Sequence, residues 1–235
     1  MISKKSIKLI HSLGTKKGRV ANNMFVAEGP KVVDDLIAAG FEVVELYDEI
    51  DDVRKASFLQ HPQEKLAVFK IPQWQVEPQI PTDQLSLLLD GVQDPGNLGT
   101  IIRVADWFGI THIFCSQNTA SCWNPKVVQA TMGSIARVQV TYHDLLSLLE
   151  HLPSDFPVYG TLLDGENIFT QQLTPNGVII MGNEGNGVSA EVKERVNRRL
   201  FIPNYPPSRK TADSLNVSIA TAIVCNEFRR VLALK

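Results

Sequence analysis

The chain has 235 residues, 44% of them hydrophobic, which suffices for one large domain or for a domain of roughly 150 residues with a smaller companion. A net charge of -2 excludes a global basic field, so any nucleic acid must be held by local patches. Cys115, Cys122 and Cys225 form no Cys-x-x-Cys pair, and no apolar run reaches signal-peptide or membrane-spanning length; this argues against a disulfide framework, a metal site and a membrane anchor, and for a soluble cytoplasmic protein.

Residues 3 to 20 read as a basic helix followed by a flexible basic turn, with Ile7, Leu9, Ile10 and Leu13 as apolar contacts. Lys4, Lys5, Lys8, Lys16, Lys17 and Arg19 all precede the first acidic residue, Glu28, so this arm is either a phosphate-binding patch or a solvated helix face. Met24 to Ala27 predicts a strand, and Gly29-Pro30 starts a helix with Val32, Val33, Leu36 and Ile37 buried and Gly40 at its end. Val43 to Tyr47 predicts the next strand; an acidic, less regular segment separates it from another at Leu66 to Ile71. Glu77-Pro78-Gln79-Ile80-Pro81-Thr82-Asp83 has two prolines and no periodicity, which sets a boundary between domains 1–82 and 83–235.

From Leu85 strands and helices alternate regularly, the pattern of an α/β domain with a mostly parallel sheet covered on both faces. Strands are expected at 85–89, 111–115, 137–140, 158–162 and 178–181, and helices at 97–108 and near 125–132, 143–150 and 189–196. Leu200-Phe201-Ile202 is strand-like and stops at Pro203. After a polar loop through Tyr205, Pro206, Pro207, Arg209 and Lys210, Ser214 opens a helical pattern whose buried face carries Val217, Ala220, Val224 and Val231. Open parallel sheets bind ligands beyond the carboxyl ends of their strands, so the loops there are where chemistry is expected.

Three such loops stand out. The first runs from Asp90 to Gly99, with Asn97 placed to cap the next helix and Arg103 about one and a half turns further on. An arginine so near a helix start opposes the helix dipole, which suggests a carboxylate or phosphate partner, either in the same domain or in a ligand. The second, Gly182-Asn183-Glu184-Gly185-Asn186-Gly187, reverses the glycine spacing of the dinucleotide fingerprint, and no Walker pattern occurs; a nucleotide cofactor held by its phosphates, as in a dinucleotide-dependent oxidoreductase, does not fit. In the third, Ser214 and Asn216 fall in a helix cap and first turn, where free backbone N–H groups bind polar ligands.

Together the three loops resemble the SpoU-type (TrmH-like) branch of the SPOUT RNA methyltransferases. The shared signature is Gly96-Asn97-Leu98-Gly99 with Arg103, then Gly182-Asn183-Glu184 with Gly187, then Ile202-Pro203 and Ser214-Leu215-Asn216-Val217-Ser218 with Ala220, in that order. The likeness covers about residues 85 to 232, and Phe25 to Gly29 with the following helix resembles the L30e-like substrate-binding domain of many members.

The resemblance implies a deep trefoil knot, S-adenosylmethionine as cofactor, a homodimer, and methyl transfer to a ribose 2′-hydroxyl of RNA. Ribosomal RNA is favoured over transfer RNA because of the separate amino-terminal domain and its basic arm. A catalytically silent RNA-binding assembly factor of the same fold is the alternative, and intact polar residues at every signature position count against it. Carried across, Gly182, Ile202 and Leu215 contact the cofactor, with Met181 and Leu162 beside them. Asn97, Arg103, Glu184, Ser214 and Asn216 form the catalytic set, Glu184 orienting Asn97 or Arg103. Lys4, Lys5, Lys8, Lys16, Lys17, Arg19, Arg209 and Lys210 are expected on RNA phosphates. One departure is the segment Asn204 to Asp213, longer than the usual family spacing.

Overall fold

The computed structural model describes residues 1–73, 79–206 and 209–233, the last three without their side chains. Glu77 and Pro78 of the expected junction, Pro207 of the third loop and the Val231 side chain therefore lie outside the described residues. By contacts the chain divides into Met1–Glu77 with Ser121–Arg137, and Pro78–Ala120 with Val138–Lys235.

The first unit opens with two helices, α1 (Lys4–Leu13) and α2 (Lys16–Asn22), where a helix and a flexible turn were expected. The reason is local: Thr15 accepts a hydrogen bond from the Gly18 amide at 3.0 Å and caps α2. A Cβ at position 18 would lie 1.9 Å from the Ser12 carbonyl oxygen, so the chain turns this tightly only with glycine there. Three strands follow, β1 (Met24–Glu28), β2 (Val43–Tyr47) and β3 (Leu66–Lys70), in an antiparallel sheet of order β1-β3-β2.

Helix α3 (Pro30–Ala38) buries Val32, Val33 and Leu36, whereas Ile37 is exposed, against expectation. Helix α4 (Ile50–Ala56) occupies the segment read as irregular; it has only Val53 and Ala56 as buried apolar residues, too few to show a period. Asp52 within it has a pKa held down to about 2, chiefly by the Lys55 ammonium 2.8 Å away.

In the second unit β4 (Leu85–Asp90) leads into α5 (Pro95–Trp107) and β5 (His112–Cys115). The chain then supplies α6 (Pro125–Ala130) and a 3-10 turn (Ser134–Ala136) to the first unit, where the Trp123 ring lies 4.5 Å from that of Phe25. It returns as β6 (Gln139–Tyr142), α7 (Leu145–Glu150), β7 (Val158–Asn167), β8 (Gly177–Gly182), α8 (Ala190–Lys193), β9 (Arg198–Phe201) and α9 (Val217–Ala233). The sheet is six-stranded, ordered β6-β5-β4-β8-β7-β9, with every pair parallel.

Both faces of this sheet are covered. Leu88, Ile180, Val158 and Val178 pack with Leu145 and Leu149 of α7 and Val192 of α8. Side chains alternate along a strand, so Ile179 and Tyr159, paired in register, point the other way. There Phe228 of α9 meets the Tyr159 ring edge-on at 4.8 Å. Helix α9 lies against α5 and is fastened to both its ends: Asn216 donates to Asn97 at 2.9 Å, and Arg229 donates to the Phe108 and Gly109 carbonyls at 2.7 and 3.2 Å. These two carbonyls lie just past the end of α5, where the helix dipole favours a cation. No described helix is long and apolar enough to cross a membrane.

Candidate active site

Because β4, β8 and β7 are adjacent and parallel, the loops leaving their carboxyl ends emerge side by side. The loop after β8 is folded into a tight hairpin: Asn183 and Gly187 exchange backbone hydrogen bonds at 2.8 and 2.9 Å, and Asn183 Oδ1 accepts from the Gly185 and Asn186 amides. A Cβ on Gly182 would lie 2.3 Å from the Gly187 carbonyl carbon, so this strand end admits only glycine. Asn183 also donates to the Gly91 carbonyl at 2.7 Å, and Asp90, buried at the end of β4, accepts from the Ser189 amide at 2.7 Å.

The hairpin carries Glu184 to the start of α5. Its Oε1 accepts from the Asp94 amide at 3.1 Å and from Asn97 Nδ2 at 3.0 Å, and its Oε2 from the Gln93 amide at 3.2 Å. Asn97 Oδ1 in turn accepts from Asn216 Nδ2, whose own Oδ1 accepts from the Ser218 and Ile219 amides at 3.0 and 3.3 Å. Three distant segments are thus joined by one chain of hydrogen bonds. Partial burial works to raise the Glu184 pKa, but the bonds from Asn97 and from the backbone amides outweigh it and hold the carboxyl below its ordinary value.

Two capping roles differ from expectation. Asp94, not Asn97, caps α5, accepting from the Asn97 amide at 2.8 Å; this frees the Asn97 side chain for Glu184 and Asn216. Asn216, not Ser214, caps α9, which begins at Val217. Ser214 instead borders a cavity of 570 Å³, which Leu162, Met181, Gly182, Ile202 and Leu215 also line. Thr161 lines it too, with its hydroxyl donating to the Ile180 carbonyl at 2.7 Å. Leu162 and Leu163 line this cavity where the β7–β9 ladder slips between Thr161 and Glu166, both paired with Leu200, so that the intervening residues bulge out of register. Nothing in the spacing of the sequence marks that slip, and the strand expected to stop at residue 162 runs to Asn167.

Arg103 stands apart from this group. It is exposed on α5, lines no part of the cavity, and among the described residues has neither hydrogen bond nor ion pair, so it is not engaged in a structural salt bridge. Lys4, Lys5, Lys8, Lys16 and Lys17 are exposed, as are Arg209 and Lys210. Arg19 is a correction to the basic set: it is 4% exposed and donates to the Leu13 carbonyl at 2.9 Å, tying α2 to α1. No cluster of metal-binding side chains occurs among the described residues.

With this geometry established, residues 84–226 match the SpoU rRNA Methylase family. The chain belongs to that family. Residues 4–77 match the MRM3-like substrate binding domain. Among curated relatives, the 23S rRNA (guanosine(2553)-2′-O)-methyltransferase RlmP of Bacillus subtilis is 33% identical, over 92% of this chain and 93% of that protein. Among solved structures, a TrmH-family protein from Porphyromonas gingivalis superposes with a TM-score of 0.87 at 38% identity, covering 98% of this chain and 99% of that one. The AdoMet-bound rRNA methyltransferase of Sinorhizobium meliloti gives 0.83 at 28% identity, covering 99% and 97%. This SpoU-family chain therefore shares its whole two-unit organisation with solved relatives.

The lowered pKa of Glu184 has a stability consequence. Its contribution is fully present above the ordinary glutamate value of 4.5 and is lost as pH falls through the lower value of the folded chain. In acid titrations of urea stability, Glu184→Gln is expected to remove that part of the pH dependence and to be less stable than the wild type at neutral pH; an unaltered profile would show that the carboxylate is not held as described.

Proposed function

We propose that this protein is a cytoplasmic, S-adenosylmethionine-dependent methyltransferase that modifies a ribose 2′-hydroxyl in ribosomal RNA, with residues 83–235 carrying the chemistry and residues 1–82 holding RNA. The observation that carries the reading is the Glu184–Asn97–Asn216 chain beside a cavity lined by the cofactor positions of the family signature. The rRNA named in the B. subtilis relative and the substrate-binding match of the amino-terminal residues favour ribosomal over transfer RNA.

The cavity fits such a donor. Its 570 Å³ lies in the range of about 300–1,000 Å³ usual for small-molecule sites, and Leu162, Met181, Ile202 and Leu215 give it apolar walls suited to a flat heterocycle. Gly182 at the end of β8 contributes main chain to the lining. When bound, the sulfonium supplies a methyl group already activated for transfer.

The residues of the chain then have to align the hydroxyl and accommodate the charge left as its proton departs. Arg103, with no intramolecular partner among the described residues, is available for this. Its guanidinium stays protonated at any physiological pH, so it stabilises the developing alkoxide rather than serving as a free base. Glu184 fixes Asn97, Asn97 fixes Asn216, and Ser214 at the cavity border is free to bind the ribose or the methionine end.

The homodimer belongs to the same proposal. Arg103 shares a stripe of α5 with Trp107, which is 85% exposed, and α9 beside it presents Ile219, 52% exposed. Pairing two chains over this face would cover both side chains and put Arg103 at the seam, where a second cavity can reach it. The trefoil knot is likewise proposed from the family likeness; consistent with it, the chain returns from the sheet edge at β9 to bury α9 against β8.

Arg103→Ala should lower methylation by about 100-fold or more while leaving S-adenosylmethionine binding nearly intact by calorimetry; wild-type turnover would remove Arg103 from the mechanism. Changing Lys4, Lys5 and Lys8 to Gln should weaken RNA binding across sequences and reduce the salt slope by about one for each phosphate no longer neutralised, and an unchanged slope would exclude the arm from the interface. Sedimentation should give twice the chain mass for the wild type and the single mass for Trp107→Glu, whereas a monomeric wild type would end the dimer proposal.

A further inference from the structure

The charge of the cavity lining is one-sided. Of the described residues that form it, two are carboxylates, Glu184 and Asp213, and none is lysine or arginine. Glu184 is spoken for by its bonds to Asn97 and to the Gln93 and Asp94 amides. Asp213 differs: among the described residues it has no hydrogen bond and no ion pair. Arg209 and Lys210 belong to the same loop, yet neither lines the cavity. Asp213 is exposed at the cavity border and has no counter-charge among the described residues, so its negative charge remains available to a cation held in the cavity.

We infer that Asp213 is the element by which this cavity distinguishes the charged methyl donor from the uncharged product. The inference rests on the cofactor reading of the cavity given above. In the transfer a methyl C–S bond breaks and a C–O bond to the ribose forms. The bonding pair stays on sulfur, and the hydroxyl proton is released. The sulfonium thereby becomes a neutral thioether, while the ammonium and carboxylate of the methionine end are the same before and after. A single negative charge facing the sulfur end therefore attracts the donor and loses its hold once the methyl has gone. Asp213 stands one residue before Ser214, in the loop that is longer than the usual family spacing, so its placement is a feature of this chain rather than of the shared motif. It is a specificity-determining residue and has no part in the bond changes.

Calorimetric titration of the full chain with S-adenosylmethionine and, separately, with S-adenosylhomocysteine tests the assignment. For Asp213→Asn the donor Kd should rise by about three- to tenfold, the range of a half-screened ion pair, while the product Kd stays within about twofold. Asp213→Glu should restore the donor preference. Loss of affinity for both ligands in equal measure, or for neither, would overturn the role of Asp213 while leaving the cavity assignment standing. Failure of the wild-type chain to bind either ligand would overturn the cavity assignment itself.

Discussion

The carboxylate of Glu184 is the point at which the second unit closes on itself. Strands β4 and β8 are neighbours in the sheet, but adjacency alone would leave their loops free to move independently. Glu184 accepts from two backbone amides of the β4–α5 loop and from Asn97, and Asn97 passes the constraint to Asn216 and hence to the first turn of α9. A single bond of this kind contributes about 1 kcal/mol net. The network holds its shape because several such bonds act together on the same three segments. Gly182 reinforces it from below, since only a residue without Cβ allows the hairpin to fold back over the strand that carries it.

The same arrangement separates groups that are tied from groups that are free. Asn97, Glu184 and Asn216 spend their hydrogen-bonding capacity on one another and on helix caps. Arg103, Ser214 and Asp213 spend none within the described residues. Fixed polar groups around a few uncommitted ones are what a preorganised site requires: the framework costs no reorganisation when the reactants arrive, and the uncommitted charges act on them directly. The fastening of α9 to both ends of α5 serves this division, since it sets the helix bearing Arg103 against the helix whose first turn, through Val217 and Ala220, lines the cavity.

Much of this is legible in the sequence, and the parts that are not share a cause. Long apolar strands and the alternation from Leu85 onward announce the parallel sheet, because burial on both faces leaves a continuous hydrophobic signature. Helix α4 escapes notice because seven residues with two buried apolar positions carry no measurable period. Asp94 and Asn97 are equally good caps by type, and only the position of Glu184 decides which of them is released for other work. Arg19 is indistinguishable from its lysine neighbours until the turn at Gly18 points it inward. Leu162 and Leu163 line the cavity where β7 slips register against β9, an event between strands that one strand's composition does not record.

The interruption between β5 and β6 bears on how this protein came to be one piece. Because the segment Ser121–Arg137 clusters with the amino-terminal residues, the smaller unit is assembled from two separate portions of the polypeptide. The Trp123 ring, lodged between Phe25 and Phe41 at 4.5 and 6.2 Å, belongs in sequence to the methylase half and in space to the other. No single scission of the backbone yields two intact halves. A cut at the proline-bearing junction would leave Trp123 on one fragment and its neighbours Phe25 and Phe41 on the other, so the smaller unit of this chain cannot be excised as one continuous piece.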